Sequence, residues 1–322
     1  MLLALTESPP LLRRWLYRFR PAQAAADLGE RGRGLHWLIG EGFPTPPAWA
    51  LATSTFDLAV NQAGLSAVVA EIEWSLRGLW NDVRAVERVL TALEPQRVDA
   101  ARRLRGVALG DRLEGIVNTL AQVPTPGWML CPSCTGQVED LIPRLFVPPT
   151  RRELWDGIRQ MWSAVFSREV LRRCAQSDQP LPRLAVAFYP LEPIAPQDRS
   201  GWVYGEDARS VPDGDEGPAP LRIEVTGGAW EGESLIYLVN RPQTVDDRLQ
   251  TTNHSRPSSV VCGLSSVIRR PSSVARDLTG DETLVLADLV QSVAERWGGP
   301  VRVEFLWRAG QETPLLLSVE SS

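Results

Sequence analysis

Residues 27–51 read DLGERGRGLHWLIGEGFPTPPAWAL, and the reading of the fold turns on them. Three glycines, Gly29, Gly32 and Gly34, stand within six residues and lead into an apolar helical pattern at Leu35, Leu38 and Ile39. Closely spaced glycines let a backbone approach a ligand, and the helix N-terminus that follows offers N–H groups to an anion. The same text also reads as a plain tight turn, for its spacing is neither a Walker A loop nor a dinucleotide fingerprint. Gly40 and Gly42 mark a helix stop. Pro44, Pro46 and Pro47 then set an extended entry into the apolar run Trp49–Leu51.

The chain has 322 residues, enough for one large or two medium domains with a substantial core. A net charge of −5 and a pI near 5.3 argue against bulk attraction to nucleic acid or to an anionic membrane, so neither is expected as a partner. No apolar run approaches the roughly 18 residues of a spanning helix. Leu2 to Leu5 lack a basic flank ahead of them and do not read as a signal peptide, so a cytoplasmic protein is expected. All 34 Lys and Arg residues are arginine, which excludes any lysine Schiff base or lysine phosphate contact.

Cys131-Pro132-Ser133-Cys134 is a C-x-x-C, half of a zinc site or a redox pair. Closing a zinc site would need Cys174, Cys262 or one of the two histidines, His36 and His254, from far along the chain. Buried, inert thiols are the expectation, with the redox and zinc readings as alternatives.

Taken in order, Leu11, Leu12, Trp15, Leu16 and Phe19 predict a short amphipathic helix. Phe56 to Glu94 reads as one long helical region carrying Leu65, Val68, Val69, Ile72 and Leu76, ended by Pro95. Residues 98–122 read as another helix, punctuated near Gly106 and Gly110. Thr150 and Glu153 form a capping box ahead of a helix through Leu154, Ile158, Met161, Trp162 and Val165. Apolar strands are expected at Leu184–Leu191, Leu221–Val225 and Leu235–Val239. Residues 243–277, with Arg-Pro-Ser-Ser-Val at 256–260 and again at 270–274, read as an exposed excursion. Near the end, a helix with Leu286, Leu289, Val290, Val293 and Trp297 on one face stops at Gly298-Gly299-Pro300. A strand follows in which Val301, Val303, Phe305 and Trp307 alternate with Arg302 and Glu304, paired as a hairpin with Pro314–Val319. Glu304 then reads either as a functional carboxylate or as a solvated outward residue.

The opening stretch resembles the start of the nucleotide-binding domain of the phosphoenolpyruvate synthase and pyruvate phosphate dikinase family, G-G-K-G-A/x-x-L followed by G-(L/F)-P-V-P-P. Leu28, Gly29, Gly32, Leu35, Gly42, Phe43, Pro44, Pro46 and Pro47 match, and the family's phosphate-contacting lysine falls on Arg31, a planar fork in place of a point charge. Met129–Thr135 is similar to a strand ending in V-R-S-S-A, whose arginine falls on Cys131. Ile158–Phe166 resembles the segment ending W-A-S-(L/V)-F. From Leu184 to Tyr204 the text is similar to V-V-V-Q-x-M-V-x-x-x-x-S-G-V-x-(F/Y), with Glu192 at the glutamine and Ile194 at the methionine. Glu224 matches I-E-A, and Gly232 and Glu233 match the end of W-G-L-G-E. Glu304 takes the place of the metal-binding glutamate in P-x-D-I-E-W-A, while Ser318 and Glu320 replace the glutamine and arginine of L-x-L-L-Q-A-R-P.

The resemblance covers the whole chain and implies an α+β, ATP-grasp-like fold. Residues 1–180 would form a helix-rich N-terminal subdomain, and residues 181–322 a mixed β-sheet subdomain ending in a metal-side hairpin. It implies ATP held by Arg31, Glu192, Ile194, Glu224 and Glu233, with Mg²⁺ on Glu304. Two functions are then open. One is a stand-alone ATP-binding domain that transfers phosphate to a partner protein or small acceptor. The other is a catalytically inactive relative, acting as a nucleotide sensor or protein-interaction module. The resemblance ends where the family continues into a phosphohistidine domain and a pyruvate-binding barrel, so a protein partner supplying the phosphate carrier or acceptor is expected.

Overall fold

The structure is a computed structural model; it describes residues 2–4, 27–80, 82–108, 110–134, 138–192, 198–205, 221–227, 234–239 and 278–321. The expected helix over residues 11–19 and the excursion at 243–277 lie outside these residues. The chain divides into two compact units, residues 1–42 with 46–193, and Phe43–Thr45 with Ile194–Ser322. The expected division at 180/181 falls just before a strand that belongs to the first unit's sheet.

The first unit has five strands: β1 Leu2–Ala4, β2 Trp49–Leu51, β3 Trp128–Ser133, β4 Leu145–Val147 and β5 Ala185–Pro190. They run in the order β1-β2-β5-β3-β4, every pair antiparallel. β3 and β5 sit inside the sheet and are apolar on both faces, as strands covered on both sides must be. One face carries Trp49, Trp128, Leu130 and Phe188 into the main core, where Trp128 meets Trp49 and Phe188 edge-on at 5.2 and 6.3 Å. Against that face lies helix α7 (Arg151–Ala164), drawn close because Gly157 lacks the Cβ that would stand 3.0 Å from Leu130 Cδ2. The opposite face takes helix α1 (Gly29–Gly40).

The other helices of this unit are α2 (Thr53–Gln62), α3 (Ser66–Leu76), α4 (Val83–Ala92), α5 (Glu94–Arg105), α6 (Asp111–Ala121) and α8 (Arg168–Ser177). The single helix expected over Phe56–Glu94 is therefore three, broken where Gly64 and Gly78 take positive φ. Pro95 does not end a helix; it lies in the first turn of α5, where its missing N–H costs nothing. Thr150 caps α7 by accepting the Glu153 N–H at 3.3 Å, while its own N–H donates to Pro148 at 2.8 Å.

The second unit has β6 (Arg199–Gly205), β7 (Leu221–Gly227), β8 (Ser234–Val239), helix α9 (Gly280–Trp297), β9 (Val301–Trp307) and β10 (Leu315–Ser321). The order is β10-β9-β6-β7-β8, and all four pairs are antiparallel. A mixed sheet was the expectation; among the described strands the sheet is antiparallel throughout. α9 opens on a full capping box between Thr279 and Glu282 and closes on Gly298 at φ 82°. It packs on β6 and β9, and the face it covers is fixed by Gly205, whose Cβ would meet Val290 Cγ1 at 3.0 Å. Alternation then puts Val203, Val301, Val303 and Phe305 under α9 and the even-numbered residues of β6 and β9 on the other face. Phe43–Thr45 adds to this unit: the Leu316 N–H donates to the Pro44 carbonyl at 2.8 Å, and Arg296 lies over the Phe43 ring at 5.0 Å.

Candidate functional site

The face of the second sheet turned away from α9 carries a polar cluster beside Trp202, Tyr204 and Leu306. Ser318, Glu304 and Trp202 occupy one rung across β10, β9 and β6, with the Glu224 backbone next in register on β7. The next rung holds Glu320, Arg302 and Tyr204, with the Arg222 backbone in register. Hairpin pairing alone does not create the first rung. Leu316 pairs with Phe305 and Ser318 with Glu304, so Leu317 is an extra residue on β10. Without this bulge Leu317 would stand across from Glu304; with it a hydroxyl does, 3.5 Å from Glu304 Oε2.

Glu304 and Ser318 are both wholly buried. This corrects the reading of Glu304 as a solvated outward residue. Removing a carboxylate from water is costly and requires compensating partners, so its place here is specified by its surroundings. In the second rung Glu320 stands across from Arg302, whose Nη1 lies 3.9 Å from Glu320 Oε2. Arg302 also lies over the Trp202 ring, its Cζ 3.7 Å from the centroid.

Arg31 is placed differently. The glycines around it are not a loop ahead of the helix but the first turns of α1 itself. Gly29, at φ 70°, lies so close to β3 that a Cβ would stand 2.5 Å from the Ser133 carbonyl carbon. Ser133 Oγ accepts the Gly32 N–H at 2.9 Å and donates to the Leu28 carbonyl at 2.5 Å; the Glu30 N–H donates to the Cys134 carbonyl at 3.1 Å. Two N–H groups of the helix start are thus committed to β3 and its end. Arg31 is 1% exposed, and its Nε donates to Glu139 Oε1 at 2.5 Å. The glycine segment therefore serves close helix–sheet packing.

Of the other expected nucleotide contacts, Glu192 is exposed just beyond β5. Glu224 has its backbone in β7 across from Trp202. Ile194 and Glu233 lie outside the described residues. The structure thus brings Glu304 and Ser318 together and sets Glu224 on the same rung, whereas Arg31 and Glu192 belong to the other unit. Sequence reasoning passed over Arg302, Trp202 and Tyr204. The signal was present in the period of two: Ser200, Trp202 and Tyr204 on β6 face the same way as Arg302 and Glu304 on β9.

Cys131, Cys134 and Cys174 are buried free thiols. Burial pushes the Cys134 thiol far above its ordinary range, with Glu139 and Glu30 adding to the shift, and burial lifts Cys174 to about 11. Neither presents a ready thiolate near neutral pH, as a reactive thiol does. Among the described residues no three His, Cys, Asp or Glu side chains gather as a metal cage. Nor is any described helix long and apolar enough to cross a membrane.

No model of a known protein family matches the chain, and no curated protein matches it in sequence. Among solved structures, D-alanine-D-alanine ligase from Helicobacter pylori is similar over 66% of this chain, at 10% identity and a TM-score of 0.33. The chain covers 47% of that enzyme, about half its length. A likeness this slight assigns neither family nor activity.

Proposed function

We propose that the chain is a nucleotide-binding domain in which the polar face of the second sheet receives the metal-bound phosphates of ATP. The observation that carries this is the buried Glu304 with the Ser318 hydroxyl brought across from it by a bulge. The donor set is oxygen only, one carboxylate and one hydroxyl, which suits Mg²⁺, a hard cation that takes one or two carboxylates and completes its shell with phosphate and water. When bound, the ion would neutralise phosphate charge. Glu304 and Ser318 would hold it, and the fixed sheet backbone would keep both donors in place without reorganisation. Transfer of phosphate to a partner protein or small acceptor is the activity this site would serve.

A second reading has its own observation. Arg31, the cation that the family resemblance assigns to phosphate, is spent on Glu139 inside the first unit. That favours a domain that binds nucleotide without transferring phosphate, as a sensor or interaction module. Calorimetric titration of the intact chain with ATP, with and without Mg²⁺, tests the proposal. Saturable binding that strengthens with Mg²⁺ and loses that dependence in Glu304→Gln supports it; no heat at ATP concentrations on the order of 1 mM sinks it. Turnover of bound ATP, measured with and without candidate acceptors, then separates the two readings.

A further inference from the structure

Resting on the nucleotide reading, we propose that Arg302, and not Arg31, is the cation that contacts the phosphates. A triphosphate needs a donor fork that is pre-oriented and not already closed by a carboxylate at hydrogen-bonding distance. Arg31 fails the second condition, since its Nε donates to Glu139 Oε1 at 2.5 Å. Arg302 meets both. It lies two residues before Glu304 on β9, on the same face, so it flanks the carboxylate proposed to hold the metal. Its guanidinium is stacked on Trp202, with Tyr204 at 5.7 Å, which fixes the plane of the fork and leaves its edge for hydrogen bonding.

Among the described residues the carboxylate paired with it, Glu320, stands at 3.9 Å, an electrostatic neighbour but too far for a hydrogen bond. Arg302 Nε is buried without an acceptor among the described residues, while the side chain as a whole is 35% exposed, so access is left to the terminal nitrogens of the fork. Glu320 then acts as a counter-charge that an arriving phosphate displaces. The anion bound is a polyphosphate, and affinity should grow with phosphate number.

The test is titration of the full chain with ATP, ADP, AMP and adenosine, comparing wild type with Arg302→Met, Arg302→Lys and Glu320→Gln. Methionine retains much of the packing on Trp202 while removing the fork. Loss of a charge-assisted bidentate contact should weaken ATP roughly 10- to 100-fold and leave adenosine unchanged. Lysine should recover part of the loss. Glu320→Gln should move the other way, tightening ATP by about threefold or more relative to adenosine, because the competing carboxylate is gone. That variant reads the same contact without removing the arginine, so it decides the matter even where Arg302→Met does not fold. A purely structural pair would lose stability in both variants and leave the ATP-to-adenosine ratio fixed. Wild-type binding of ATP with that ratio unmoved by all three substitutions overturns the role of Arg302 alone. No binding of ATP by wild type overturns the nucleotide reading and this one together.

Discussion

Arg31 and Glu304 are both buried ionisable residues, and both stand where the family resemblance placed chemistry. They are buried in opposite ways. Arg31 sits at the start of α1 with Glu139 at hydrogen-bonding distance, among glycines that allow the helix to touch β3. Glu304 sits on the sheet face that α9 does not cover, across from a neutral hydroxyl that a bulge has moved into place. The lesson is that a matched motif position can serve packing or chemistry: Arg31 sits in a helix–sheet contact, whereas the hydroxyl across from Glu304 is set there by a bulge.

The most disruptive test of this contrast is Gly29→Ala. A Cβ there would overlap the Ser133 backbone at a positive φ, so we expect a loss of roughly 3 kcal/mol or more in chemical denaturation. Next comes Arg31→Met, which leaves the Glu139 carboxylate without its counter-charge and should cost about 3 kcal/mol. Arg31→Met with Glu139→Leu should recover most of that, and neither variant should alter the ATP-to-adenosine affinity ratio. Glu304→Gln inverts the pattern: a smaller stability change than Arg31→Met, with loss of the Mg²⁺ dependence of nucleotide binding by calorimetry. Such an inversion would show that one buried charge is structural and the other functional; equal effects on both readouts would erase the distinction.

Smaller effects bear on the rest of the first unit. Cys134 should resist thiol reagents in the folded protein at pH 8 and react only on unfolding, since burial holds it protonated. The smallest is at Glu87 on α4, whose carboxyl is held down to about 2 by hydrogen bonds from Arg172 and then Arg168 of α8. A lowered folded pKa contributes stability above the unfolded value of 4.5 and loses it as the pH falls toward 2. Glu87→Gln should therefore lose this small contribution at pH 7 and flatten the acid side of the stability curve, the variant and wild type converging as the pH falls from about 5 to about 2.

Much of this was legible in the residues. β5 and β7 to β10 are apolar or alternating runs long enough to announce themselves, β3 was reached only through the family resemblance at Met129–Thr135, and Thr150 marks a helix start. β1 was not legible, because three residues carry no period. Gly64 and Gly78 were read through, although a positive φ at each divides one apparent helix into three. The site was legible only in part. The period of two placed Glu304 beside apolar neighbours but could not say that both sheet faces would be shielded there. The bulge at Leu317 has no sequence signature, since the three leucines 315–317 carry no period that marks which of them is the extra residue. Arg302 was overlooked because its significance lies in Trp202, about one hundred residues away in the chain and one strand away in the sheet.

The membership of Phe43–Thr45 in the second unit has a consequence for dissecting the chain. A fragment made of residues 194–322 alone would lack the Pro44 carbonyl that accepts the Leu316 N–H and the Phe43 ring beneath Arg296, so a cut at 193/194 parts the second unit from a piece of its own packing.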